Sequence, residues 1–426
     1  MNIVCQKGWP STIQSDPKKV EYNGRVLFAL HNSLPHDGAG YAIRSQNVIE
    51  SIARKGVTPN VVTRPNYPWD LNNHSDKLFE KFSNVNSIKY MRIKDDDISI
   101  GGNESDYIHS YGDHLAKLAQ ENSASIIHAA SNYLNGMAAA RAAINSDAKA
   151  IFEIRGMWHW SRAIKEPYFK NSDHQRYCEI MERAAAHEVD HVVTISKGLK
   201  SLVSSWGVPE KKISVIPNGV NTEYFTPLKK DMRLAKELGL ENRVVVGFIG
   251  SLTFYEGIDI IIQAVGELIN EGLPVSLVIV GQGVALKSLV KMAKKTGATD
   301  HIHFLGYIPY DLIGSYYSII DIFPFPRKSY DVCQIVPPLK IFEVMAMAKV
   351  TIVSKLEVLE NIIQDGETGW VCVPEDVNSL KFQLENLIMD EKNRKKVGSA
   401  AREYVKQNHD WSRITQQYID IYQSIC

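Results

Sequence analysis

Four side chains in the run 321–349, DIFPFPRKSYDVCQIVPPLKIFEVMAMAK, have types and spacing suited to chemistry: Arg327, Lys328, Lys340 and Glu343. Guanidinium and ammonium groups bind phosphate oxygens through charge-assisted hydrogen bonds. A carboxylate beside them accepts bonds from ribose hydroxyls, so the set suits a sugar nucleotide. The elements that must hold it are legible. Ile322, Phe323 and Phe325 read as a buried strand, followed by a charged, irregular loop and then a helix. Pro337 and Pro338 mark the helix start, because proline's missing N–H costs nothing in a first turn. Leu339, Phe342, Val344, Met345 and Ala346 supply an apolar face. Lys340 and Glu343 lie three apart and share a side of that helix. The free N–H groups around Pro338–Lys340 suit an anion. The competing reading of the same run is a loop-to-helix join with solvated charges.

Other stretches carry weaker signals. Asp37-Gly38-Ala39-Gly40-Tyr41 follows the first strong strand, where Gly38 and Gly40 let backbone approach a ligand or simply form a tight turn. His128 stands in SIIHAA, which reads as a strand with the histidine near its carboxyl end, where α/β sheets bind ligands. A satisfied core histidine fits equally well. In Glu153-Ile154-Arg155-Gly156-Met157-Trp158-His159-Trp160, Arg155 suits an anionic group and Trp158 or Trp160 a sugar face. A buried Arg pair with core tryptophans is the alternative. Pro217-Asn218-Gly219-Val220 and Asp365-Gly366-Glu367-Thr368-Gly369 read as structural turns. Asp95-Asp96-Asp97 reads as a solvated loop.

At 426 residues the chain is long enough for two domains. Lys plus Arg and Asp plus Glu each number 48, and the lack of a basic excess argues against a general nucleic-acid binder. Five scattered cysteines, with no Cys-x-x-Cys pair, fit a reducing compartment. No signal-peptide pattern and no membrane-spanning run is visible, so the expected location is cytoplasmic, with at most a peripheral contact at the inner face of a membrane. Residues 1–24 read as a polar lead-in arm. From Arg25 onward, strands and helices alternate, which builds a parallel, doubly wound sheet. The series runs to about Val220, passes through a polar connection at 218–242, and begins again with RVVVGFIGS and the helix GIDIIIQAVGELINEG. A basic helix at 285–297 reads as a solvated face, with anionic lipid as the alternative.

The run 321–349 resembles the donor-site segment of retaining glycosyltransferases of family 4, also called group 1. It is most similar to a subgroup with an Arg-Lys pair, a Pro-Leu-Lys run and Glu-x-Met-Ala. The resemblance implies an α/β fold of the GT-B type, two doubly wound Rossmann-like domains facing across a cleft. Residues 1–217 would form the acceptor-side domain, with the helix at about 410–426 packed back on it, and 218–409 the nucleotide-sugar domain. GAGYAIRS resembles the loop on the active-site floor. His128 takes the place of a histidine close to the transferred sugar, and Arg155 belongs to a similar Glu-Val-Arg-Gly element. Gly281-Gln282-Gly283 would line the base pocket.

Two departures stand out. Most members carry Arg and Lys where this chain has Ser251 and Glu256, in GSLTFYEG. Arg327 and Lys328 are then the expected replacement cations for the diphosphate. The wider family's Glu falls at Ile335, eight residues before Glu343; in the subgroup the equivalent is Gln334, nine before. A neutral amide still bonds sugar hydroxyls. The implied function is retaining transfer of a sugar from a nucleotide-sugar donor to a glycan or lipid-linked acceptor, with His128, Arg327, Lys328 and Glu343 at the reaction. Gly38, Gly40, Arg155, Ser251, Gly283, Gln334, Pro338 and Lys340 would bind the donor alongside Glu343. Neither cofactor nor metal is expected. The alternatives are a sugar-nucleotide epimerase and a non-catalytic nucleotide-sugar-binding subunit.

Overall fold

The computed structural model describes residues 19–71 and 79–426, so residues 1–18 of the lead-in arm lie outside the described residues. The chain divides into two compact units, one made of residues 1–217 with 411–426 and one of residues 218–410.

The first unit is built on eight strands: β1 (Arg25–Leu30), β2 (Thr58–Thr63), β3 (Phe82–Val85), β4 (Ile88–Met91), β5 (Ile126–Ala130), β6 (Lys149–Ile154), β7 (His191–Thr194) and β8 (Ile213–Val215). Their order is β3-β4-β2-β1-β5-β6-β7-β8. Every pairing is parallel except β3 with β4. Central strands such as β1 and β5 are buried almost throughout, as a sheet covered on both faces requires. Strand β3, the antiparallel partner of β4, is an addition to the alternating series read from the sequence. A helix at Trp158–Lys165 is another. The helix Glu104–Glu121 is capped by the Asn103 side chain.

Helices Trp411–Ile414 and Gln416–Ile425 belong to this first unit. Ser51 Oγ lies 2.8 Å from Thr415 Oγ1 and donates to the Trp411 carbonyl at 3.1 Å. The Arg44 guanidinium lies over the Trp411 ring. The end of the chain therefore completes a core begun near its start.

The second unit has six parallel strands: β9 (Val244–Ile249), β10 (Val275–Val280), β11 (Ile302–Gly306), β12 (Ile322–Phe325), β13 (Val350–Ser354) and β14 (Trp370–Cys372). The order β11-β10-β9-β12-β13-β14 reverses direction between β9 and β12. At such a reversal the loops after the two strands diverge to opposite faces and leave a crevice at their carboxyl ends. The helix Ile258–Asn270 follows β9 and buries Ile258, Ile261, Ile262, Val265 and Leu268. Among the described residues, no helix is long and apolar enough to cross a membrane.

Candidate active site

The loops flanking the β9/β12 crevice are 250–257 and 326–330. They meet directly. A Cβ on Gly257 would stand 1.9 Å from the Pro326 carbonyl oxygen, so only glycine allows the approach, and its φ of +73° is the left-handed region that glycine favours. The Lys328 backbone N–H donates to the Tyr255 carbonyl at 3.0 Å. Gly281 and Gly283 bring the loop after β10 against the same segment, since Cβ atoms there would meet the Gly250 and Leu252 carbonyl oxygens at 1.8 and 2.2 Å. The need for Gly283 is thus backbone packing. Ser251 is exposed.

Arg327 is only 4% exposed. Its Nη2 donates to Glu256 Oε1 at 3.0 Å and its Nη1 to the Val336 carbonyl at 2.7 Å. The guanidinium lies over the Tyr255 ring. Burial by itself would lower its pKa, but Glu256 offsets this and the net direction is upward. Lys328 Nζ is 2.6 Å from Asp259 Oδ2, in the first turn of the helix after Gly257. Both expected replacement cations are thus ion-paired across the crevice.

The segment between is more ordered than the expected irregular loop. Asp331–Ile335 is a short helix carrying a half-buried Gln334. Pro337 and Pro338 precede the next helix, which begins at Lys340 and ends at Ala346. The predicted start at Pro338 is therefore two residues early. Asn218 Nδ2 donates to the Pro337 carbonyl at 2.9 Å, so Asn218 and Arg327 together hold the strand of chain that leads into Lys340. Seven residues give this helix only a weak dipole, and the charged side chains dominate. Glu343 is buried, and its Oε2 accepts from Tyr317 Oη at 2.6 Å and from Lys340 Nζ at 3.0 Å. Its Oε1 takes no hydrogen bond among the described residues and remains available to a ligand hydroxyl. Lys340, at 32% side-chain exposure, is the most open of the three cations.

In the first unit the candidate residues separate into two groups. Gly38, Ala39 and Gly40 are exposed, and the helix Gly40–Ala53 starts at Ala39 with neither a side-chain cap nor an acid in its first turn. Its first N–H groups are open to an anion. His128, by contrast, is the third residue of β5 and has no exposed surface. Its Nδ1 lies 2.8 Å from Tyr422 Oη, and its ring packs against Phe28, Tyr418 and Tyr422. Burial lowers its pKa, against the opposing effect of the Glu153 carboxylate. The expectation that His128 touches the transferred sugar is corrected: it is a core residue, and the strand continues past it through Ala129 and Ala130.

Arg155 donates to both the Glu153 carboxylate and the Ser45 hydroxyl. Glu153 also receives Arg44 Nε and Nη2 and the Tyr418 hydroxyl. Burial would raise the Glu153 pKa, but Arg155 and Arg44 hold it well below the carboxylate range. Trp158 Nε1 donates to Glu182 Oε1 at 3.0 Å, so this indole is tied to a carboxyl. Burial pushes the Glu182 carboxyl up to about 8. Asp95 is also committed, accepting from Ser110 and facing His114 at 2.9 Å, which corrects the solvated-loop reading at that position. Glu256, Asp259, Tyr317 and Asn218 complete the second unit's site. Glu256 carried a sequence signal as a departure from a motif and Asn218 as part of a turn, whereas Asp259 and Tyr317 carried none.

Two family models account for most of the chain. Residues 231–404 match the glycosyl transferases group 1 and residues 40–224 match glycosyltransferase family 4. The chain belongs to the group 1, family 4 glycosyltransferases. A GDP-mannose-dependent alpha-(1-6)-phosphatidylinositol monomannoside mannosyltransferase of Mycolicibacterium smegmatis is 27% identical over 54% of this chain and 61% of its own. An uncharacterized glycosyltransferase of Methanocaldococcus jannaschii is 27% identical over 59% of this chain. The chain thus spans 61% and 64% of the length of these two relatives. In fold it is similar to sucrose-phosphate synthase from Thermosynechococcus elongatus, with a TM-score of 0.77 at 17% identity, over 94% of this chain and 98% of that one. Anabaena HepE in complex with UDP and glucose superposes with a TM-score of 0.72 at 16% identity, over 94% and 99% of the two chains. The fold is GT-B, two Rossmann-like α/β domains.

Proposed function

We propose that this protein is a retaining glycosyltransferase that takes its sugar from a nucleotide-sugar donor bound in the second unit. The carrying observation is that Arg327 and Lys328 stand on the loop after β12, paired across the β9/β12 reversal, with Lys340 and Glu343 paired on the helix that follows. Both family models and the mannosyltransferase relative support this reading. Glu343 Oε1 would accept ribose hydroxyls, and Lys340 would meet the diphosphate with the N–H groups of its helix. Gly283 and Gly281 would border the base, and Gln334 would bond sugar hydroxyls. The open helix start at Gly40 would face an anionic group of the acceptor, a glycan or lipid-linked sugar. Retention follows from front-face attack: the acceptor hydroxyl bonds to the anomeric carbon while the phosphate oxygen leaves and takes the acceptor's proton. Cations and helix N–H groups neutralise the leaving diphosphate, so no metal is required. Each such group contributes about 3 kcal/mol in the transition state.

The pairing of every candidate cation with a carboxylate favours one second reading, a subunit that binds nucleotide sugar without turning it over. Incubation with UDP-, GDP-, ADP- and dTDP-sugars, with and without EDTA, separates the two. Release of one nucleoside diphosphate at an undiminished rate in EDTA supports the transferase. Binding of a sugar nucleotide with no release on addition of glycan and lipid-linked acceptors supports the second reading.

A further inference from the structure

The crevice between the β9 and β12 loops already holds a closed set of charges. Arg327 and Lys328 are met by Glu256 and Asp259, so the four groups sum to zero. An anion entering this site finds no net attraction unless a carboxylate gives way. Arg327 is the group with capacity to spare. A guanidinium carries five N–H donors. Nη1 is used by the Val336 carbonyl and Nη2 by Glu256, while Nε is buried with no hydrogen-bond partner among the described residues. Glu256 is the partner placed to yield. It sits on the short turn Phe254–Glu256, immediately before Gly257, whose contact with Pro326 fixes the backbone. The backbone cannot withdraw, but the Glu256 side chain, 13% exposed, has a route to solvent.

We propose that Glu256 is a specificity-determining residue of the nucleotide site. It occupies Arg327 in the free protein and competes with the nucleotide's β-phosphate for that guanidinium. It thereby sets how strongly the site prefers a nucleoside diphosphate over a monophosphate. This rests on the donor-site reading above. The α-phosphate is common to both nucleotides, so only the group that displaces Glu256 distinguishes them.

The test is calorimetric titration of the full chain with UDP, GDP, ADP and dTDP and with the matching monophosphates. Glu256→Gln is nearly isosteric and still accepts a bond from Arg327, so the loops keep their contact. The diphosphate that binds the unaltered protein should bind this variant about tenfold more tightly, which corresponds to about 1.4 kcal/mol, with little gain for its monophosphate. Combining Glu256→Gln with Arg327→Gln should abolish the gain, because it acts through the guanidinium. Glu256→Asp keeps the charge and should show no gain. The proposal is overturned if Glu256→Gln binds the diphosphate no more tightly, or tightens mono- and diphosphate alike. If no diphosphate binds either the unaltered protein or Glu256→Gln, the donor-site reading falls and this proposal falls with it.

Discussion

Glu343 gathers Tyr317 and Lys340 on one oxygen and leaves the other open. A carboxylate held this way is oriented before a ligand arrives, which is how a buried acid selects a diol. Glu343→Gln should weaken nucleoside diphosphate binding about tenfold or more, on the scale of a hydrogen bond to a charged group. It should also narrow the difference between UDP and 2′-deoxy-UDP, which competition titration reads. Glu182 offers a different test. Its pKa is pushed up to about 8 by burial, above the ordinary carboxylate value near 4.5. The folded state therefore holds a proton that the unfolded state releases, and the associated stability is complete below about pH 4.5. It is lost as pH rises through about 8. Thermal denaturation should show the melting temperature of Glu182→Gln falling less than that of the unaltered protein between pH 6 and 8.5. At the residue scale the sequence identified the charges but not their partners. Glu256 and Arg327 are separated by most of a Rossmann half, and no local pattern in either stretch announces that they pair.

At the scale of elements, the site depends on three loops brought within backbone contact by glycine. Gly281→Ala would place a Cβ 1.8 Å from the Gly250 carbonyl at a φ of +136°. The cost should be about 3 kcal/mol or more, because neither backbone can move without the strand beneath it. Denaturant titration measures it. The strands feeding these loops were legible, since VSLVIV and RVVVGFIG are apolar runs bounded by glycine, long enough for a strand and too short for a helix. The helix Ile258–Asn270 was legible from the spacing of its isoleucines. β3 was not: Phe82–Val85 is a short, half-polar edge strand that exists because β4 is beside it. The helix Asp331–Ile335 was hidden in the same way, as one turn among charges and prolines. His128 shows how a strand's limits matter. SIIHAA fixes the strand but not where it ends, and two further residues place the imidazole inside.

At the scale of the molecule, the first unit is discontinuous in sequence. Tyr418 and Tyr422 reach Glu153 and His128 across more than half the chain, and they are what enclose that imidazole. Removing residues 411–426 would leave a buried carboxylate, two arginines and a histidine facing water on an apolar surface. A chain of residues 19–217 should therefore fail to fold cooperatively, whereas the same chain with 411–426 joined by a flexible linker should fold. Residues 218–410 should fold alone, as circular dichroism melting would show. The alternation of strands and helices made two Rossmann-like units legible, but no local pattern reveals that the first is closed by a segment two hundred residues away in the chain.

The central claim is that the β9/β12 crevice binds the nucleotide of a sugar donor. The most direct measurement is a titration of the full chain with UDP-, GDP-, ADP- and dTDP-sugars in EDTA, repeated with Lys340→Ala. Saturable binding of one nucleotide class, weakened at least tenfold by Lys340→Ala as expected for loss of a charge-assisted phosphate contact, is the predicted result. Absence of binding by all four, or binding that Lys340→Ala leaves unchanged, would contradict the account.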